Sequence, residues 1–309
     1  MMWLPRTGGL ARRETRGSTM RFTTVLAAAL ATGVALPAAA ESYKLAITDV
    51  EGLEQLQTDW GPFKAALEEA TGESFEFFAV ASRTAAAEAL RAKRVDFVVT
   101  GPAEYVVINK LTDATTVVGL SRPDYFCGWV VMADSDIVRP ADLKGMKVAM
   151  DDIGSTSGHL CPSQLLADYG VSPLDDVQVT HTTRAVAHEA LKRGDIAAVG
   201  LNYTSWVNGI RSKDDSVPPG SFRVIARSGD LPNDLLVAGA HVDPAVVETV
   251  QTRIVENRAA IVDAILSVGG DNEKYRGMDI VAIEDGAYDP VRAMYATIGQ
   301  PQFSSFVGE

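Results

Sequence analysis

The sequence predicts an α/β protein built as two lobes, the first of them discontinuous. Three observations carry this. Short apolar runs alternate with amphipathic stretches from Tyr43 onward, the rhythm of βαβ units, and it restarts after Phe126. The 309 residues exceed the roughly 100–200 of a usual single domain. Two stretches, 125–133 and 227–234, read as passages out of the first lobe and back into it. A cleft between two lobes joined by two crossings is a common place for a small ligand.

Composition narrows the function. With 47% hydrophobic and 22% charged residues the chain is globular, neither disordered nor a coiled coil. A net charge of −12 argues against a general nucleic-acid binder, whose affinity comes from neutralising phosphates. It leaves open a local site for a small anion.

Residues 1–40 read as an export signal. Met20-Arg21 precedes an apolar run over 22–36 and then Pro37-Ala38-Ala39-Ala40, so cleavage is expected after Ala40, with Met20 as the start. The run is short and Ala-rich for a span of about 30 Å. Without residues 1–40 the chain keeps 23 basic and 39 acidic side chains, a net −16. An acidic, soluble, periplasmic protein is expected.

Strands are then expected at 43–48, 75–80 and 95–100, with helices at 60–70, 84–93 and after Gly101-Pro102, where Pro suits a first turn. Beyond Phe126, strands are expected at 147–150, 177–180, 196–201 and 222–226. Helices are expected at 157–169, 183–193 and 203–211, then one long helix or two over 244–266 and a last one over 290–298. The strands between helices predict parallel sheets covered on both faces.

The most informative stretch is DDIGSTSGHLCPSQLLADYG, residues 151–170. It follows a strand and opens a helix. Ser155, Thr156 and Ser157 place three hydroxyls where backbone amides lack intrahelical partners, and Gly158 allows close approach to the backbone. Such a helix start suits an anion; the plainer alternative is a local N-cap. Pro162 should kink this helix or begin a second one. Gly154–Gly158 misses G-x-S-x-G by one residue, since Thr156 stands at its centre. No phosphate loop and no H-E-x-x-H are present, and His159, His181, His188 and His241 lack metal-ligand spacing. Neither catalysis nor a cofactor is expected.

GSTSGHLCP, preceded by DLKGMKVAMDD, resembles the phosphonate/phosphite-binding proteins of ABC importers. DWGPFKAALEEATG, RVDFVVTGPAEYV, ADSDIVRPADLKG and FRVIARSGDLPND extend the resemblance in order along the chain. It implies a type II periplasmic binding protein: two Rossmann-like lobes joined by two crossing strands, here 41–128 with 232–309 as lobe 1 and 129–231 as lobe 2. It implies that Ser155, Thr156, Ser157 and Gly158 hold a tetrahedral oxyanion. Tyr125 matches a tyrosine of the hinge strand that reaches the ligand, and Tyr105 matches the G-P-x-x-Y pattern at a cleft-facing helix start. The implied partners are a small anionic ligand and an inner-membrane ABC permease, the protein acting as a monomer; the alternative is a sensory protein for an oxyanion or arsenite that signals to a histidine kinase.

Three positions depart from the family pattern. Arg83 stands where a tyrosine is usual, Arg184 where a histidine is usual, and Cys127 where a small polar residue is usual. The two arginines suit bidentate contact with a doubly charged ligand, or are exposed helix-start residues. Asp96, Glu104, Asn202 and Tyr203 are further cleft candidates, the acids reading better as caps. Cys127 and Cys161 allow a disulfide, buried thiols, or a thiolate site for a soft ligand such as trivalent arsenic.

Overall fold

The structure, a computed structural model, describes residues 42–48, 50, 52–80 and 85–303. The expected export signal and Arg83 lie outside the described residues.

The chain runs β1 (Tyr43–Ile47), α1 (Leu53–Thr71), β2 (Phe75–Phe77), α2 (Ala85–Arg91), β3 (Phe97–Thr100), α3 (Pro102–Leu111) and β4 (Thr115–Leu120). A second group follows: β5 (Cys127–Met132), β6 (Lys147–Met150), α4 (Cys161–Asp168), β7 (Gln178–His181), α5 (Arg184–Arg193), β8 (Ala198–Asn202), α6 (Tyr203–Gly209) and β9 (Phe222–Arg227). The chain then returns through β10 (Asp234–Ala238), α7 (Pro244–Glu256), α8 (Arg258–Leu266), β11 (Ile280–Val281) and α9 (Asp289–Thr297).

The first sheet has the order β11-β4-β10-β3-β1-β2 and the second β7-β6-β8-β5-β9. The chain changes sheets over 121–126 and again over 228–233. Cys127 and Gly128, expected in the first lobe, therefore belong to the second sheet, opposite Asn202 and Leu201. The expectation of parallel sheets is corrected as well. β1 pairs parallel with β2 and β3, and β6 with β7 and β8. β10 is antiparallel to both its neighbours, and so is β5. These are the strands that enter straight from the other sheet, without a crossover helix to turn the chain round. The two passages bind each other: Leu231 N–H donates to the Tyr125 carbonyl at 2.7 Å, and Ser228 N–H to that of Cys127 at 3.0 Å.

Strand alternation builds both cores. Leu45, Ile47, Phe97 and Val99 face α1, α7 and α8, while Ala46 and Val98 face α2 and α3. α1 buries Leu56, Trp60, Phe63 and Leu67, one helical stripe; each such side chain contributes about 1.5–3 kcal/mol. It starts two turns earlier than expected and runs through Pro62, which sits on its exposed face. Gly72, at φ 74°, ends it by donating to the Glu68 carbonyl. In the second sheet Val130, Ala149, Val199 and Leu201 pack on Ala187, Leu191 and Trp206. Its other face meets α4 through Trp129, Val131 and Val148. The stretch 244–266 is two helices, broken at Asn257, whose side chain donates to the Arg253 carbonyl at 2.9 Å. Among the described residues no helix is long and apolar enough to cross a membrane.

Candidate functional site

β6 delivers the chain into the loop 151–154. Gly154 there takes φ 91°, a conformation costly for any residue with a Cβ. Ser155 is the N-cap of the helical turn Thr156–Leu160, its Oγ accepting from Gly158 N–H at 3.2 Å. That turn is wide: Leu160 N–H reaches the Ser155 carbonyl at 3.0 Å, five residues back. Pro162 explains the local pattern. Lacking an N–H, it leaves the Gly158 carbonyl without its ordinary helical donor, and Asp151 N–H donates to it instead at 2.9 Å. One proline thus starts α4, as expected, and ties the loop to the helix.

The three hydroxyls have distinct partners. Thr156 Oγ1 accepts from Ala103 N–H of α3 at 2.9 Å. Ser157 Oγ accepts from Asn202 Nδ2 at 3.3 Å, and the Asn202 orientation is fixed because its Oδ1 caps α6 at Ser205 N–H. Each of Ser155, Thr156 and Ser157 therefore accepts from an N–H and keeps its own hydrogen to donate. The amides of Thr156 and Ser157 stand in the first helical turn, where no earlier carbonyl is in place for them. Thr156 is 3% and Ser157 7% exposed, so these donors sit in low dielectric.

The other expected site residues divide. Arg184 opens α5, and its Nε donates to Asp151 Oδ2 at 2.9 Å, beside the Ser155–Gly158 turn. Tyr125 is buried in the outward passage beneath the Arg122 guanidinium, 3.6 Å from its ring centre. Tyr105, expected at the cleft, is buried and its hydroxyl is engaged within the first lobe. Its hydroxyl donates to Asp285 at 2.6 Å, its ring meets Tyr288 edge-on at 4.5 Å, and burial followed by the Asp285 bond pushes its pKa up. Cys127 is bonded to Cys161. Both sulfurs are consumed, which overturns the thiolate reading for arsenite and removes Cys127 as a ligand contact. Asp96 accepts from Lys44 N–H and pairs with His241, a structural role.

Two groupings were not legible in the spacing. His159 and His181 meet edge-on at 4.8 Å. Gly154 N–H donates to His159 Nδ1, and His181 Nδ1 bonds the Asp151 carbonyl at 2.6 Å, so both rings brace the same loop. Burial, then the His181 charge, lowers the His159 pKa to about 4. His188, Glu189 and Asp214 also gather within 4.8 Å. There Asp214 takes the Lys192 ammonium at 2.8 Å and His188 at 2.7 Å, while Trp206 Nε1–H donates to His188 Nδ1. The acid is matched by an ammonium and both imidazole nitrogens are used, so the group does not suit a cation. Asp151 and Ala103 are the site neighbours that sequence reasoning passed over. Asp151 lay inside the motif segment; Ala103 takes part through its backbone alone and gave no side-chain signal.

Two α/β lobes, two crossing passages and a donor-rich helix start between them define a type II periplasmic binding protein. The sequence matches the family described as "ABC transporter, phosphonate, periplasmic substrate-binding protein" over residues 45–276, and the chain belongs to that family. It is thus a transport binding protein rather than an enzyme. A phosphate-import protein of Mycolicibacterium smegmatis is 27% identical over 273 residues, covering 82% of this chain and 84% of the relative. A Prochlorococcus marinus protein solved with methylphosphonate superposes with a TM-score of 0.66 at 15% identity, over 84% of this chain and 98% of that one. The aliphatic sulphonate binding protein of Escherichia coli also shares the fold, with a TM-score of 0.54 at 17% identity, over 84% and 94% of the two chains. At these identities the solved structures speak for the fold alone.

Proposed function

We propose that this protein captures a tetrahedral phosphorus oxyanion (phosphonate, phosphite or phosphate) at Ser155–Gly158 and delivers it, as a monomer, to an ABC permease of the inner membrane. One observation carries the reading: three adjacent hydroxyls each accept from an N–H and so keep their own hydrogens to donate, beside first-turn amides. Such a cluster favours an acceptor-only, negatively charged ligand. The positive end of the helix supplies charge stabilisation without a cation in the turn itself. Arg184, neutralised by Asp151, orients that carboxylate beside the turn rather than delivering a full charge to the ligand. Residues 1–40 serve as the export signal, which the mass of the exported protein tests.

Isothermal titration against phosphate, phosphite and methylphosphonate, with sulfate and methanesulfonate as controls, tests the binding reading. Saturable binding of at least one phosphorus oxyanion is expected, and its loss in the Ser155→Ala/Thr156→Ala double variant. Binding of none of the three, or unchanged affinity in the double variant, refutes the site.

A further inference from the structure

α3 begins without a cap of its own. Its N-cap residue, Gly101, has no side chain to offer, and Pro102 in the first turn has no N–H. The first amide that needs an acceptor is that of Ala103, a residue with 0% exposure. Water cannot serve it there, and an unpaired buried N–H is costly. The acceptor comes from the other lobe: Thr156 Oγ1, at 2.9 Å and 53 residues along the chain. Thr156 in turn belongs to the first turn of the motif helix. One hydrogen bond thus joins two helix N-termini, each carrying roughly half a positive charge, which approach each other more readily when negative charge lies nearby.

The same residue is held from a third direction. Tyr295 of α9 donates its hydroxyl to the Ala103 carbonyl at 2.8 Å. Thr297, two residues on, donates to Gln164 Oε1 of α4 at 2.5 Å. The start of α3 is therefore the point where the first lobe, the second lobe and the C-terminal helix meet.

We propose that Thr156 is a closure latch: it completes α3 by capping it in trans, so the helix has its full set of partners only when the lobes are together. Closure then carries the free energy of a helix cap, and the residue that supplies it belongs to the oxyanion motif. In the ligand-bound arm this rests on the reading of Ser155–Gly158 as the oxyanion site; in the ligand-free arm it stands alone. Thr156 is in this respect a positioning residue, acting on the ligand through the approach of α3.

The test compares wild type, Thr156→Val, Thr156→Ser and Gly101→Ser by small-angle X-ray scattering and titration calorimetry, with and without methylphosphonate. Valine keeps the volume and removes the acceptor; serine keeps the acceptor. Gly101 has extended backbone (φ −82°, ψ 170°), which suits a serine cap, and the nearest atom to its added Cβ is the buried Glu104 Oε2 at 2.9 Å, which must shift slightly. Thr156→Val should bind roughly tenfold more weakly and keep a larger radius of gyration at saturation. Thr156→Ser should close as wild type does. Gly101→Ser, which caps α3 in cis, should weaken binding without touching the motif. Thr156→Val compacting to the wild-type radius overturns the latch, as does Gly101→Ser binding and closing like wild type. If wild type does not bind methylphosphonate or inorganic phosphate, the functional reading fails. The latch is then judged on ligand-free proteins: a larger radius in Thr156→Val supports it and an equal radius overturns it.

Discussion

A Cβ on Gly158 would lie 2.3 Å from the Cβ of Asp151. The clash cannot be relieved by a side-chain rotation, because both atoms are fixed by backbone and the same two residues share the Asp151 N–H to Gly158 carbonyl bond. Gly158 is therefore required by the return of the loop onto its helix.

Gly158→Ala should destabilise the protein by about 1–3 kcal/mol, the range for overpacking a tight site, and should weaken oxyanion binding more than Ser157→Ala does. Urea unfolding and calorimetry on the two variants provide the comparison; an alanine variant of wild-type stability would show that the loop yields.

The Cys127–Cys161 bond closes a loop of 34 residues between the start of β5 and the start of α4. Loop-closure entropy assigns such a bond about 3–4 kcal/mol. The Cys127→Ser/Cys161→Ser variant should lose that much in chemical unfolding. Arsenite should leave the melting temperature of the oxidised protein unmoved.

Asn202 fixes the hydrogen of Ser157 by donating to its oxygen. In Asn202→Asp the carboxylate can only accept, so Ser157 must turn its hydrogen toward it and a negative charge joins the site. The Kd for the oxyanion should rise by about a hundredfold or more, with the helix cap at Ser205 retained. Calorimetry with unchanged affinity would remove Ser157 from the site.

His159 gives the fold a pH dependence of defined sign. Its folded pKa, about 4, lies below the ordinary 6.5, so the unfolded chain binds the proton first. Stability from this residue is complete above pH 6.5 and is lost as the pH falls through 4, by about 3 kcal/mol in all. His159→Asn keeps an acceptor for Gly154 N–H and does not titrate. Its stability should fall less steeply than that of wild type between pH 6.5 and 4 in parallel denaturant curves.

Tyr105→Phe separates a structural tyrosine from a ligand contact. Losing the 2.6 Å bond to Asp285 should cost about 1 kcal/mol, while the Kd for the oxyanion should stay within a factor of two.

Much of this was readable in advance. The strand and helix rhythm placed β1, β3, β6 and α3 to within two residues, because period-2 burial and Gly-Pro punctuation are local signals. The rhythm does not predict β4 or β10, because Thr115–Leu120 and Asp234–Ala238 are short runs without a distinctive period. The motif Ser155–Gly158 was legible because three hydroxyls at a helix start are unusual. The partner of Tyr105 was not legible, because Asp285, 180 residues on, takes its hydroxyl.

The sequence alone determined the α/β class, the two-lobed division and the position of the anion-suited helix start, since these follow from local periodicity, chain length and backbone amides that need partners. Tertiary structure alone decided the rest. It spent both cysteines on each other, set Arg184 on Asp151, reversed the strands that enter from the opposite lobe, and brought Thr156 to Ala103. Each is a long-range choice among partners that local sequence leaves equally available, and it is settled by which buried polar groups must be satisfied once the sheets have packed.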